Sequence, residues 1–143
     1  MPGSNGDADD SGAVSFFVVG CVVIFFALAG LAFDGGGKVH EEEQADAVAR
    51  EAARAACEQI DQAAVLHGVY RLDPGYAKQA AHDYVSSAQM TTLQVTVVAP
   101  DVCKVRVSAD YKTQLLGLIG VSDLPVSGSG QARFVYGVNG PEG

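Results

Sequence analysis

Cysteine is the residue type in this chain whose chemistry is easiest to specify, because two thiols at a suitable distance can form a disulfide. Cys21 lies in an apolar stretch, whereas Cys57 and Cys103 lie in the more polar remainder of the chain. In an oxidising compartment Cys57 and Cys103 could pair. Closing the loop of about 46 residues between them would stabilise the fold by on the order of 3–4 kcal/mol. The alternative is two separate buried thiols, and we favour the disulfide.

Other residue types that support catalysis or metal binding lack the spacing that such sites need. His40, His67 and His82 are far apart in sequence, and none belongs to an H-E-x-x-H pair. The G-K dipeptide at residues 37–38 lacks the flanking residues of a phosphate-binding loop. The G-S-G at residues 128–130 has no strand-to-helix context, which a nucleophile elbow requires. We therefore expect a non-catalytic protein with no metal, no cofactor and no small-molecule substrate.

An uncharged and almost entirely apolar stretch runs from Ala13 to Phe33. At about 1.5 Å of rise per residue, its length as a helix is close to the roughly 30 Å hydrocarbon thickness of a bilayer. A helix that is apolar on every face needs lipid or a wholly buried core, and the rest of this chain is too short to enclose it. The sequence therefore predicts a single membrane span over residues 13–33.

Two other interpretations of the apolar stretch stay open. Residues 27–29 form the A-x-A pattern of a signal-peptide cleavage site, and residues 18–21 are similar to a lipobox ending at Cys21. No positively charged segment precedes the stretch, however, and apolar residues continue beyond both motifs. A span that stays in the membrane is the preferred interpretation.

The distribution of charge excludes some partners. The formal net charge is −8, and the absence of a basic patch argues against nucleic acid as a partner. No polybasic cluster adjoins the apolar stretch. The orientation is poorly specified by charge, because Lys38 is the basic residue nearest the stretch and favours an N-terminus outside the cytoplasm only weakly.

Apolar residues at three- and four-residue steps predict a long amphipathic helix from Val39 to Leu66, after a glycine-rich break over residues 34–38. The three glycines in this break could form a hinge or a loosened helical turn. The apolar face of the long helix is nearly all alanine, so another helix or a sheet could approach it closely. This packing face consists of Ala45, Val48, Ala49, Ala52, Ala56, Ile60 and Ala63. Asp73 and Pro74 are typical of the start of a shorter second helix.

After Met90 the apolar period changes to two and predicts an antiparallel sheet. Leu93, Val95 and Val97 define one face of the first strand, a turn follows at residues 100–101, and a second strand covers residues 102–109. The apolar segment 114–120 is expected to interrupt the sheet as a short helix or a lid. Residues 126–130 are expected to be a flexible lead into a third strand over residues 131–138.

Together these elements predict an α+β fold, in which a long helix and a short second helix pack on a small antiparallel sheet. The predicted organisation is a disordered tail over residues 1–12, a transmembrane helix over 13–33 and the glycine-rich break over 34–38. The α+β domain follows over 39–138, with a tail over 139–143.

The order of these segments resembles the TadE/TadG-like family of tight-adherence (Flp) pilus assembly proteins, in the style of actinobacterial members. The resemblance rests on D-S-G-A-V-S at residues 10–15, L-A-G-L-A-F-D-G-G at 28–36, Q-A-D-A-V-A-R-E-A-A-R-A-A at 44–56, L-L-G-L-I-G at 115–120 and V-S-G-S-G-Q-A-R at 126–133. It covers most of residues 10–138, and its specificity comes from the order of the motifs.

The resemblance implies a pilin-like fold with the N-terminus in the cytoplasm and the α+β domain outside it. It implies a structural or assembly component of a Flp-type pilus or a related secretion machine in the cell membrane. The implied partners are other pilus-assembly or pilin-like membrane proteins and the lipid bilayer. Phe17 stands where processed pilin-like relatives carry glutamate, which implies the uncleaved, TadG-like style. The alternative is a membrane-anchored or secreted extracytoplasmic binding module unrelated to pili.

Overall fold

The computed structural model describes residues 7–98 and 101–135 and contains helices followed by a three-stranded sheet. The elements are α1 (Asp7–Cys57), α2 (Gln62–Val65), α3 (Pro74–Ser87), β1 (Thr91–Val98), β2 (Val102–Lys112), the 3₁₀ turn η1 (Leu116–Ile119) and β3 (Asp123–Arg133). The α+β fold class is confirmed. The predicted turn residue Pro100, the end of the predicted third strand and the tail over residues 139–143 lie outside the described residues.

Helix α1 runs without interruption through residues 34–38, where the sequence analysis expected a break. It also begins at Asp7, within the predicted tail. Gly35 and Gly36 have open space where a side chain would be, whereas a Cβ at Gly37 would lie 2.1 Å from the Tyr111 hydroxyl. Glycine at position 37 therefore allows a close side-chain contact on a continuous helix.

The long helix predicted to reach Leu66 ends earlier, at Cys57. Asp61 takes an extended backbone conformation and caps α2, because its carboxylate accepts a hydrogen bond from the Ala64 amide at 3.1 Å. Such a side-chain cap offers the backbone an alternative to continuing the helix. Ile60 consequently pairs with Leu72 in an isolated bridge outside α1.

Helix α3 begins as predicted. Asp73 is its N-cap, and the carboxylate accepts hydrogen bonds from the amides of Gly75 at 2.8 Å and Tyr76 at 3.0 Å. Pro74 occupies the first turn, where its missing N–H costs nothing. The buried residues of α3 are Ala77, Ala81 and Val85, and they belong to the same core as the alanines of α1.

The sheet is antiparallel with the strand order β1-β2-β3, so β2 is central. Cys103, Val105 and Val107 of β2 are buried on the face that packs against the helices. The pairing of β1 with β2 shifts between Thr92 and Gln94, which leaves Leu93 as an extra residue. Because of this bulge Leu93 is 55% exposed, and it does not share the inner face with Val95 and Val97 as predicted.

Strand β3 starts at Asp123 and includes the segment 126–130, which the sequence analysis expected to be a flexible lead. Gly128 pairs with Val107 and Gly130 with Val105, so both glycines lie on the inner face of the sheet. Here the period of two is carried by Val126, Gly128, Gly130 and Ala132. Because glycine is not an apolar side chain, the alternation of apolar and polar residues is hidden here, and the sequence did not predict a strand over residues 126–130.

Candidate functional site

The N-terminal part of α1 carries apolar side chains that are largely exposed. From residue 12 to residue 33 every residue except Gly30 is exposed. Phe16 is 86% exposed and Phe25 69%. By length and composition this part of α1 could cross a membrane. Cys21 lies within it as an exposed free thiol.

The predicted alanine face of α1 is covered by the protein's own sheet and by α3. Ala45, Ala49, Ala52 and Ala56 are fully buried, and Val48 is partly buried against the same core. The prediction missed Ala53, which is also fully buried; it follows Ala49 by four residues, so the same periodicity could have indicated it.

Two members of the predicted packing face do not contribute to it. Ile60 is 37% exposed, and Ala63 is exposed in α2, where the neighbouring Ala64 is buried instead. Both residues follow the end of α1 at Cys57, so the helical periodicity that placed them on the face no longer applies.

Glycines of β3 lie directly on the backbone of α1. A Cβ at Gly128 would lie 2.2 Å from the carbonyl carbon of Ala45, and a Cβ at Gly130 would lie 2.2 Å from the amide nitrogen of Arg50. Between these two contacts, the Asp46 carboxylate accepts a hydrogen bond from the Ser129 amide at 2.8 Å. The small residues on both sides thus set the distance between sheet and helix, and Asp46 sets their relative position along α1.

Asp34 attaches the connection between β2 and β3 to α1 at the end of the apolar stretch. Its side chain is fully buried, and its carboxylate accepts hydrogen bonds from the amides of Gln114 at 2.7 Å, Leu115 at 2.9 Å and Leu116 at 2.6 Å. The Tyr111 hydroxyl lies 3.4 Å from the same carboxylate. Burial alone would raise the pKa of Asp34, but these donors outweigh it and hold the pKa below its ordinary value.

From the sequence, Asp34 was expected only to begin the glycine-rich break over residues 34–38, and this role was not predicted. One signal for it was present, because Asp34 follows Gly30 by four residues and precedes Gly37 by three, which places the three on one face of a helix. All three contact the segment that leads from β2 into η1: Gly30 adjoins Leu115, and Gly37 adjoins Tyr111. The partner segment is some eighty residues away in sequence, and no local pattern identifies it.

Cys57 and Cys103 form the predicted disulfide, with their Cα atoms 5.7 Å apart. The bond joins the last turn of α1 to the start of β2. Along α1, Asp34 and Cys57 are separated by roughly 35 Å at 1.5 Å per residue. The sheet is therefore attached to α1 by specific bonds at both ends of their contact.

The histidines considered in the sequence analysis are not brought together. His40, His67 and His82 are all exposed and belong to different parts of the chain. Among residues 12–98 and 101–135, no group of three or more His, Cys, Asp or Glu side chains is arranged to hold a metal ion. What the described residues do present is an exposed apolar stretch that continues, within the same helix, into a small domain.

Comparison with known proteins finds a family match, which covers α1 from residue 12 onward and extends through α2. Residues 12–66 match the family described as "Putative Flp pilus-assembly TadE/G-like". The matched range contains the exposed apolar stretch, Asp34 and the buried alanine face, and the sheet lies outside it. No curated protein and no solved structure matches the chain. The resemblance to the TadE/G-like family of Flp pilus-assembly proteins is thus confirmed, through residues 12–66.

Proposed function

We propose that this protein is a membrane-anchored, non-catalytic structural or assembly component of a Flp-type pilus or a related secretion machine. The family match over residues 12–66 is the observation that carries the proposal. The exposed apolar side chains of residues 12–33 support it, because so large an apolar surface is unfavourable in water. In this proposal the stretch crosses the cell membrane once and anchors the domain.

The proposed orientation has the N-terminus in the cytoplasm and the α+β domain outside it. The disulfide between Cys57 and Cys103 supports this orientation, because disulfides form and persist in oxidising compartments. Lys38 favours the opposite orientation, but it does so only weakly because it is a single charge. If cells are lysed with an alkylating reagent present, the trapped protein should therefore carry an oxidised Cys57–Cys103 pair.

The geometry suggests how such an anchor would act. Helix α1 continues from the apolar stretch into the domain without a break, and the sheet is bonded to it at Asp34 and at Cys57. The domain would therefore keep a fixed height and orientation relative to the membrane. Because β3 already covers the alanine face, contacts with other pilus-assembly or pilin-like membrane proteins would use the apolar stretch and the outer surface of the domain.

Deletion and complementation test the proposal. Cells of a species that makes Flp-type pili should lose surface filaments when the gene for this chain is deleted, and the wild-type chain should restore them. The variant Ala52→Glu, which places a charge on the buried face, should fail to restore filaments, whereas Ala47→Glu changes an exposed position and should restore them. Normal filaments in the deletion strain would contradict the proposal and favour a binding module unrelated to pili.

A further inference from the structure

The connection between β2 and β3 carries apolar side chains that face solvent. We call residues 115–121, with the sequence L-L-G-L-I-G-V, the apolar loop. Leu118 is 83% exposed and Ile119 76%, and Leu115 and Val121 are exposed to smaller extents. The loop contains no charged residue. Four such side chains on one short segment form an apolar patch that is unfavourable in water, and patches of this kind mark interaction surfaces.

Two contacts fix the position of the apolar loop along α1. Asp34 accepts hydrogen bonds from the amides of Leu115 and Leu116, which places the start of the loop at the end of the apolar stretch. Gly30 lies one turn further towards the N-terminus, and a Cβ added there would lie 3.3 Å from the Cβ of Leu115. One helical turn rises about 5.4 Å, so the loop reaches past Asp34 and alongside residues of the apolar stretch itself.

The backbone of the loop is suited to an environment with little water. Amides at its start donate to Asp34, and those of Leu118, Gly120 and Val121 donate to carbonyl oxygens of the loop. A backbone at membrane depth requires such internal partners. The nearest charged residues on either side, Lys112 and Asp123, form an ion pair with each other at the base of the loop.

We propose that the apolar loop is a second membrane contact, which inserts Leu118 and Ile119 into the outer interfacial region of the bilayer beside the helix. The inference rests on the membrane span of the proposed function. Lipid is the occupant that the structure favours, because the loop adjoins Gly30 and is therefore continuous with the exposed apolar stretch of α1, which the proposed function places in the bilayer. The loop and the span together would fix the domain against the membrane surface.

Tryptophan fluorescence tests the proposal directly, because the chain contains no tryptophan. The full-length protein carrying Leu118→Trp would be reconstituted into phosphatidylcholine–phosphatidylglycerol vesicles whose acyl chains are brominated near the glycerol backbone, and Phe25→Trp into vesicles whose acyl chains are brominated near their ends. Leu66→Trp is the matched control, since Leu66 is 86% exposed and follows α2, beyond the C-terminal end of α1. Phe25→Trp reports on the span, and a mobility shift on reduction would verify that each variant keeps its disulfide.

If the loop inserts, the tryptophan of Leu118→Trp should emit at shorter wavelength than that of Leu66→Trp, and its fluorescence should be quenched by the brominated lipid. The fluorescence of Leu66→Trp should not be quenched. If Phe25→Trp is quenched and Leu118→Trp behaves like Leu66→Trp, the loop inference is overturned and the span stands. A shift of Leu118→Trp without quenching would place the loop against protein and also overturn the inference. If Phe25→Trp is not quenched, the span itself fails.

Discussion

Removal of the Cys57–Cys103 disulfide should destabilise the small domain strongly. The two cysteines are 46 residues apart in sequence, and the loop-closure entropy of a loop of that length corresponds to about 4 kcal/mol at 25 °C. A small domain is stable by only about 5–15 kcal/mol in total. The core of this domain consists largely of alanine, which buries little area per residue. The disulfide therefore contributes a large share of the free energy of unfolding.

The perturbation is the double variant Cys57→Ala and Cys103→Ala in the full-length protein in detergent micelles. Near-ultraviolet circular dichroism of the tyrosines reports on the domain, because the tyrosines of this chain all follow residue 69. A loss of about 4 kcal/mol corresponds to a decrease in melting temperature on the order of 15–30 °C for a domain near 100 residues.

A matched control is Cys21→Ala, which changes the exposed free cysteine of the apolar stretch and should leave the melting temperature unchanged. Addition of a reducing agent to the wild-type protein should reproduce the effect of the double variant. A double variant that melts within a few degrees of the wild type would refute the argument that loop closure stabilises this domain.

Three further predictions concern the contacts of α1. Gly128→Ala should lower the free energy of unfolding by about 1–3 kcal/mol, because the added Cβ would overlap the backbone of α1. Its control is Gly36→Ala, where the added Cβ would enter open space. This variant should be neutral or stabilising by up to about 1 kcal/mol in the same melting assay. Ala52→Glu should abolish the cooperative transition, because it buries an unpaired charge, whereas Ala47→Glu should retain it; cooperative melting of both variants would contradict the packing of α1 on the sheet. The lowered pKa of Asp34 means that its contribution to stability is present above the ordinary carboxylate pKa and is lost as the pH falls through the folded-state pKa. The Gln114, Leu115 and Leu116 amides should therefore become less protected from hydrogen exchange in acid, after correction for the intrinsic exchange rate. In Asp34→Asn the protection of these amides should be low at every pH. Equal protection in the variant and the wild type would contradict the anchoring role of Asp34.

The elements that the sequence predicted well are those with strong local signals. The apolar stretch, the alanine periodicity and the Asp73–Pro74 helix start are all visible within a few residues, and the structure has each of them. The second predicted strand carries a signal of the same kind, because Cys103, Val105 and Val107, which are buried, alternate with polar residues. The cysteine pair was predicted because two cysteines lie outside the apolar stretch, and the packing of α1 on the sheet brings them together.

The remaining features depend on contacts between distant segments. Glycines at positions 35–37 are weak helix formers, but Tyr111 fills the space beside Gly37 and the helix continues. Gly128 and Gly130 appear as a flexible segment in the sequence, yet they are strand residues because only glycine allows the sheet to approach α1 so closely. The role of Asp34 depends on amides some eighty residues away, which no local pattern identifies.

Fractionation of sheared cells tests the proposed pilus role most directly. Surface filaments would be stripped from cells, and the filament, membrane and medium fractions would be probed for this chain under reducing and non-reducing conditions. The account predicts an uncleaved chain with an oxidised disulfide, either in the filaments or in the membrane in association with other pilus components. A shortened chain in the medium, free of filaments, would contradict it and indicate a secreted protein.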